Sequence, residues 1–127
     1  MRVTICFTAA LVVCAASTPA LAKTAKPAAF QLNETTWTFV DKGVKVRESI
    51  DASGNYIENA VNGKHIDHGA AVMKGQKACF TSAMTKEGEV WWTTPRYALK
   101  IGQSFVAKSD KGEKLRVTRV KYLPLKM

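Results

Sequence analysis

An all-β fold is predicted here: seven or eight short antiparallel strands in an up-and-down meander, closed into a small barrel, with a two-sheet β-sandwich as the alternative. Three observations carry this. All eight glycines fall at turns, strand starts or a bend. Between them lie short runs that are β-branched and aromatic, or that alternate apolar and polar residues. Beyond residue 22 no stretch carries a 3.6-residue apolar period. A long meander exposes two edges, and closing on itself removes them, so the barrel is preferred to the sandwich.

The elements follow in order. Trp37-Thr38-Phe39-Val40 is a β-rich run ended by Asp41-Lys42-Gly43. Val44 to Ile50 alternates cleanly, with Glu48 the one exception on the Val44/Val46/Ile50 face. Asp51-Ala52-Ser53-Gly54 is a turn: Asp bonds its own backbone two residues on, and Gly supplies the left-handed conformation. Asn55 to Val61 and His65 to Val72 flank Asn62-Gly63, the strongest short hairpin signal in the chain. Gly69, inside the second of these runs, predicts a bulge or sharp bend. Ala78 to Met84, Val90 to Thr94, Gly102 to Lys108 and Leu115 to Tyr122 complete the set, divided by glycine turns and ended by Pro95 and Pro124. Arg96 to Ile101 reads as a helical turn or a crossing loop.

Residues 1–22 read as a signal peptide: Arg2, an apolar run from Val3 to Ala16, and small residues at Ala20 and Ala22 before the cleavage point. A rival reading takes Leu11-Val12-Val13-Cys14 as a lipobox and anchors the protein as a lipoprotein at Cys14; Val13 is larger than that motif wants. The expected location is therefore periplasmic or secreted. Residues 23–33 are expected as a flexible spacer and 34–127 as a single β-barrel domain. Without its leader the chain keeps 18 of its 19 Lys and Arg against 10 Asp and Glu, a net charge near +8. No second apolar stretch reaches membrane-spanning length, so no membrane span is expected. Cys6 and Cys14 leave with the leader, and Cys79 alone cannot close an internal disulfide. It reads as a small buried hydrophobe, with a disulfide-linked dimer or a reactive thiol as the alternatives.

The order Trp37, Asp51-x-x-Gly54-x-Tyr56, Asp67-His68-Gly69, Cys79-Phe80, Trp92, Ser109-Asp110-x-Gly112 and Arg119 resembles small secreted proteobacterial proteins with lipocalin-like or calycin-like β-barrels. The likeness spans nearly the whole mature chain and rests on turns and core aromatics. It implies a fold and a compartment, and it brings no activity with it. The resemblance also implies a cysteine partner for Cys79 beside Trp92; here that neighbourhood reads Val90-Trp91-Trp92.

Candidate sites are few. His65-Ile66-Asp67-His68 is the one cluster of metal-ligating types, but on a regular strand His65 and Asp67 share a face while His68 points away. Two ligands fall short of a zinc site, so His65, Asp67 and His68 read as a polar cluster tying strands together, with no metal and no cofactor. Asp51, Ser53, Asn55 and Glu58 lack the calcium-loop glycine at the sixth position. Cys79 with His65 or His68 is the only conceivable nucleophile and base, and no paired carboxylates, phosphate loop or nucleophile elbow is evident. A non-catalytic protein is expected.

Two partner classes remain. Trp37, Tyr56, Phe80, Trp92 and Phe105 would line the barrel and hold a small apolar or amphipathic ligand, unless the interior is filled by its own side chains. Alternatively the lysines and arginines bind an anionic envelope polymer. Trp91 opposes Trp92 in the pleat, so one of the two faces outward or toward a rim.

Overall fold

Turn chemistry sets the strand boundaries. In the computed structural model, which describes residues 26–127, Asp51 Oδ1 accepts from the backbone N–H of Ser53 and of Asn55, both at 2.9 Å. Gly54 closes the same turn with a φ of 86°. At the next hairpin Gly63 takes a φ of 98° and donates to Ala60, while Asn62 keeps negative φ and accepts from the Lys64 N–H through its side chain. The tight two-residue hairpin with both residues left-handed lies instead at Lys42-Gly43.

Eight antiparallel strands result: β1 (Thr35–Asp41), β2 (Val44–Ile50), β3 (Asn55–Ala60), β4 (His65–Lys74), β5 (Lys77–Ser82), β6 (Glu89–Thr93), β7 (Ser104–Lys108) and β8 (Lys114–Val120). They form one sheet in the order β6-β5-β4-β3-β2-β1-β8-β7. Because β1 pairs with both β2 and β8, the meander curls into a nearly closed up-and-down barrel; a sandwich would need two sheets. The seam between β6 and β7 is stitched by a bridge between Trp92 and Ser109 and by Asp110 donating to the Trp91 carbonyl at 3.1 Å. No helix of the described residues is long and apolar enough to cross a membrane. The leader, its cleavage site and the lipobox at Cys14 lie outside the described residues.

The two ends of the barrel differ. One is closed by the segment expected to be a flexible spacer. Residues 26–33 are ordered at their core: Phe30 and Leu32 are buried, and Ala29 bridges to Tyr97. The Arg96–Ile101 stretch is thus a crossing loop, and its backbone holds this plug through Phe30 donating to the Arg96 carbonyl. Phe30, Trp37 and Phe105 meet mutually with ring centroids 5.7–6.1 Å apart, and Ile50, Tyr56, Ala71 and Ala78 complete the core beside them. Arg119 also points to this end and donates to the Leu99 carbonyl. The register of β8 therefore puts this cation inside, behind Leu115 and Val117.

Outside, the C-terminal tail crosses β1, β2 and β3. Thr36, fully buried, accepts from the Leu123 N–H at 2.8 Å, and Asn59 donates to the Lys126 carbonyl at 2.9 Å. Buried polar groups on the outer sheet face thereby find partners.

Gly69 does not create the bulge that its place in the strand suggested. It sits in regular pairing between Tyr56 and Ser82, where a Cβ would stand 2.0 Å from the Thr81 carbonyl oxygen. The bulge lies three residues earlier, where Glu58 pairs with Asp67 but Asn59 pairs with His65. Gly69→Ala is expected to lower stability by about 3 kcal/mol or more, because neither strand backbone can yield cheaply. A shift of the urea midpoint measures it; an unchanged midpoint would show that the strands part freely at this point.

Candidate functional site

The open end of the barrel leads into a cavity of about 260 Å³. Every residue expected inside lines it: Trp37, Tyr56, Phe80, Trp92 and Phe105. They stand on the inner face because β1, β3, β5, β6 and β7 alternate without interruption at these positions. The interior is therefore not filled. Tyr56 and Phe80 stack edge to face at 5.2 Å and form one wall of the apolar half.

The other half is acidic, and this the sequence reading missed. Glu48, Glu58 and Asp67 are consecutive cross-strand neighbours on β2, β3 and β4, continuing the row that begins at Trp37. Asp41, Glu87 and Glu113 follow at the mouth, where Lys111 pairs with Glu87. Paired carboxylates are thus present after all, ten and then nine residues apart in the chain and brought side by side on three strands. A signal did exist: Glu48 interrupts the apolar face of β2, with Val46 and Ile50 buried on either side.

Asp67 is well held. Its Oδ2 accepts from the Tyr56 hydroxyl at 2.8 Å and its Oδ1 from the Ser82 hydroxyl at 2.6 Å. Burial and this carboxylate push the Tyr56 phenol far above its ordinary range, so Tyr56 serves as a donor only. Glu48 and Glu58 are differently placed. They hydrogen-bond each other, and no ion pair reaches either among the described residues. Burial, then the neighbouring carboxylates Glu58 and Asp67, hold Glu48 well above the usual carboxylate range. Burial, then Asp67 and Asp41, raise Glu58 to about 7. Both groups are thus pushed toward the protonated form, and ionising one opposes ionising the other.

The expected His65, Asp67 and His68 cluster divides. The β4 bulge lets His65 join His68 on the outer face, while Asp67 turns inward. His65 Nε2 lies 3.0 Å from His68 Nδ1, and His65 Nδ1 lies 2.8 Å from Asn59 Oδ1, the same amide that ties the C-terminal tail. Among the described residues no three His, Cys, Asp or Glu side chains converge as a metal cage.

Cys79 is buried on the outer face of β5, opposite Val72, four residues along β4 from His68. Burial and then Glu89 push its thiol upward, which disfavours the thiolate. Trp91 is the outward member of its pair, capped by the Lys77 ammonium at 4.0 Å from the ring centroid. Thr94, on the cavity wall, has the one buried side-chain polar atom without a partner among the described residues.

No family model, curated protein or solved structure matches this chain.

The carboxyl pair sets a pH dependence whose sign follows from linkage. Glu58 ionises near 4.5 when unfolded and near 7 when folded, so the folded state binds more protons between these values. Stability therefore falls as pH rises through this window. Thermal melts at pH 5 and pH 8 should show the higher Tm at pH 5. Glu58→Gln should flatten the difference and add roughly 1–3 kcal/mol at pH 8; a parent Tm that rises with pH would refute the assignment.

Proposed function

We propose that this protein is a secreted or periplasmic binding protein, non-catalytic, that holds a small amphipathic ligand in its barrel. The observation that carries this reading is the cavity itself, open at one end, aromatic at depth and polar toward its mouth. Small-molecule sites have this composition: mostly apolar walls with a few placed polar groups. A non-catalytic role is supported by the separation of Cys79, the one thiol among the described residues, from the two histidines and by the burial that disfavours its thiolate.

A second reading has its own observation. The outer face of β7, β8, β1 and β2 presents Lys108, Lys114, Arg116, Lys45 and Arg47, and no carboxylate lies on the outward positions of those strands. Val40 and Val106 are exposed among them. Such a strip suits an anionic envelope polymer.

Salt separates the two readings. The neutral fluorophore N-phenylnaphthylamine should bind saturably, with fluorescence enhancement that persists at about 0.5 M sodium chloride. Ala107→Phe, which adds a ring inside the cavity, should weaken this binding at least tenfold while the thermal transition stays cooperative. Absence of saturable binding would remove the cavity reading. On the second reading, retention on a sulfated-polysaccharide matrix should be lost at that same salt and weakened in Lys45→Glu/Arg116→Glu; retention unaffected by either would remove it.

A further inference from the structure

Resting on the cavity reading above, we infer that the barrel selects small organic cations, amines or quaternary ammonium groups carried on an apolar or aromatic body. The first ground is segregation of charge. The chain is strongly basic, with 19 Lys and Arg against 10 Asp and Glu. Yet six of those ten acids, Asp41, Glu48, Glu58, Asp67, Glu87 and Glu113, line this one cavity. Among the described residues Lys111 is the one Lys or Arg that lines it, and Glu87 pairs with it; Arg119, inward on β8, is held at the stoppered end by the Leu99 carbonyl. A charge pattern that merely kept the protein soluble would leave the acids outside.

The second ground is the order in which groups meet an entering molecule. Asp41, Glu87 and Glu113 stand at the mouth, Glu48, Glu58 and Asp67 form a continuous row that starts at Trp37, and the Phe105 and Phe80 rings pack against Trp37 and Tyr56 on the stoppered side. A cation with an apolar tail, entering tail first, puts its body against the rings and its charge at the carboxylate row. Aromatic faces next to that row add cation–π attraction.

The third ground is cost. Burying carboxylates without cationic partners is expensive, and Glu48 and Glu58 have none among the described residues beyond each other. Among the described residues no three acidic or histidine groups converge tightly enough to chelate a metal ion. A larger monocation spanning two neighbouring carboxylates accounts for them. The outer lysines do not keep it away, because their field is screened within about 8 Å at physiological ionic strength.

Ligand charge should also couple to protons. The charged groups around the Glu48–Glu58 pair are Asp41 on β1, Asp67 on β4, Arg119 on β8 across Trp37, and at the mouth Glu87, Lys111 and Glu113. A cation entering this net negative site favours the ionised pair and expels its proton to solvent.

The test is an isosteric series titrated into the full mature protein: naphthylmethylamine as the cation, naphthalenemethanol as the neutral analogue and naphthoate as the anion. Quenching of tryptophan fluorescence, which Trp37 and Trp92 report from the cavity, gives each affinity. The cation is expected to bind at least tenfold more tightly than the alcohol, and the alcohol more tightly than the carboxylate. Glu48→Gln/Glu58→Gln should abolish the preference for the amine while alcohol binding is kept; Asp41→Asn/Glu113→Gln, at the mouth and less structurally demanding, should reduce the preference without abolishing it. Calorimetry at pH 7 in two buffers of different ionisation enthalpy should show protons released on amine binding. Equal affinities for amine and alcohol, or tightest binding of naphthoate, would overturn the cation inference and leave the cavity reading standing. Binding of none of the three would overturn both.

Discussion

The one-residue bulge in β4 decides what the barrel contains. Because side chains alternate with a period of two, a register step at Ile66 exchanges inside for outside on everything past it. It delivers Asp67 to the interior beside Glu58, and it delivers His65 to the exterior beside His68. Asp67 then anchors the Tyr56 and Ser82 hydroxyls, so that β3, β4 and β5 are locked together at the boundary between the acidic and the aromatic halves. Three residues on, Gly69 lets the β5 backbone close over β4. The curvature of the sheet and the chemistry of its interior are thus set within a single stretch of five residues.

The fold was legible in the chain because its evidence is local. Asp51 to Gly54 turns as its residue types dictate, and the inward positions of Trp37, Tyr56, Phe80, Trp92 and Phe105 follow from strand alternation alone. What escaped sequence reading depends on contacts across distant strands. Glu48, Glu58 and Asp67 become neighbours only when β2, β3 and β4 pair in register. The bulge leaves no glycine or proline to announce it. Phe30 and Leu32 looked like part of a Lys/Ala/Pro spacer, because the loop that holds them lies some seventy residues away at Arg96 and Tyr97.

The acidic row also explains an apparent contradiction in composition. A basic protein with a carboxylate-lined interior has not cancelled its charges; it has sorted them by side of the sheet. Lys45 and Arg47 alternate along β2 with Val46 and Glu48, so neighbouring residues of one strand present opposite signs to the two sides. The sheet, only one residue thick, separates them. Burial and neighbouring carboxylates push both Glu48 and Glu58 toward their protonated forms, which makes the interior less negative than its residue count suggests.

The aromatic plug at Phe30 and Leu32 gives the molecule a direction. With one end stoppered, the described barrel is a cup and not a conduit: on the cavity reading proposed above, an occupant would leave by the route it entered, past Asp41, Glu87 and Glu113.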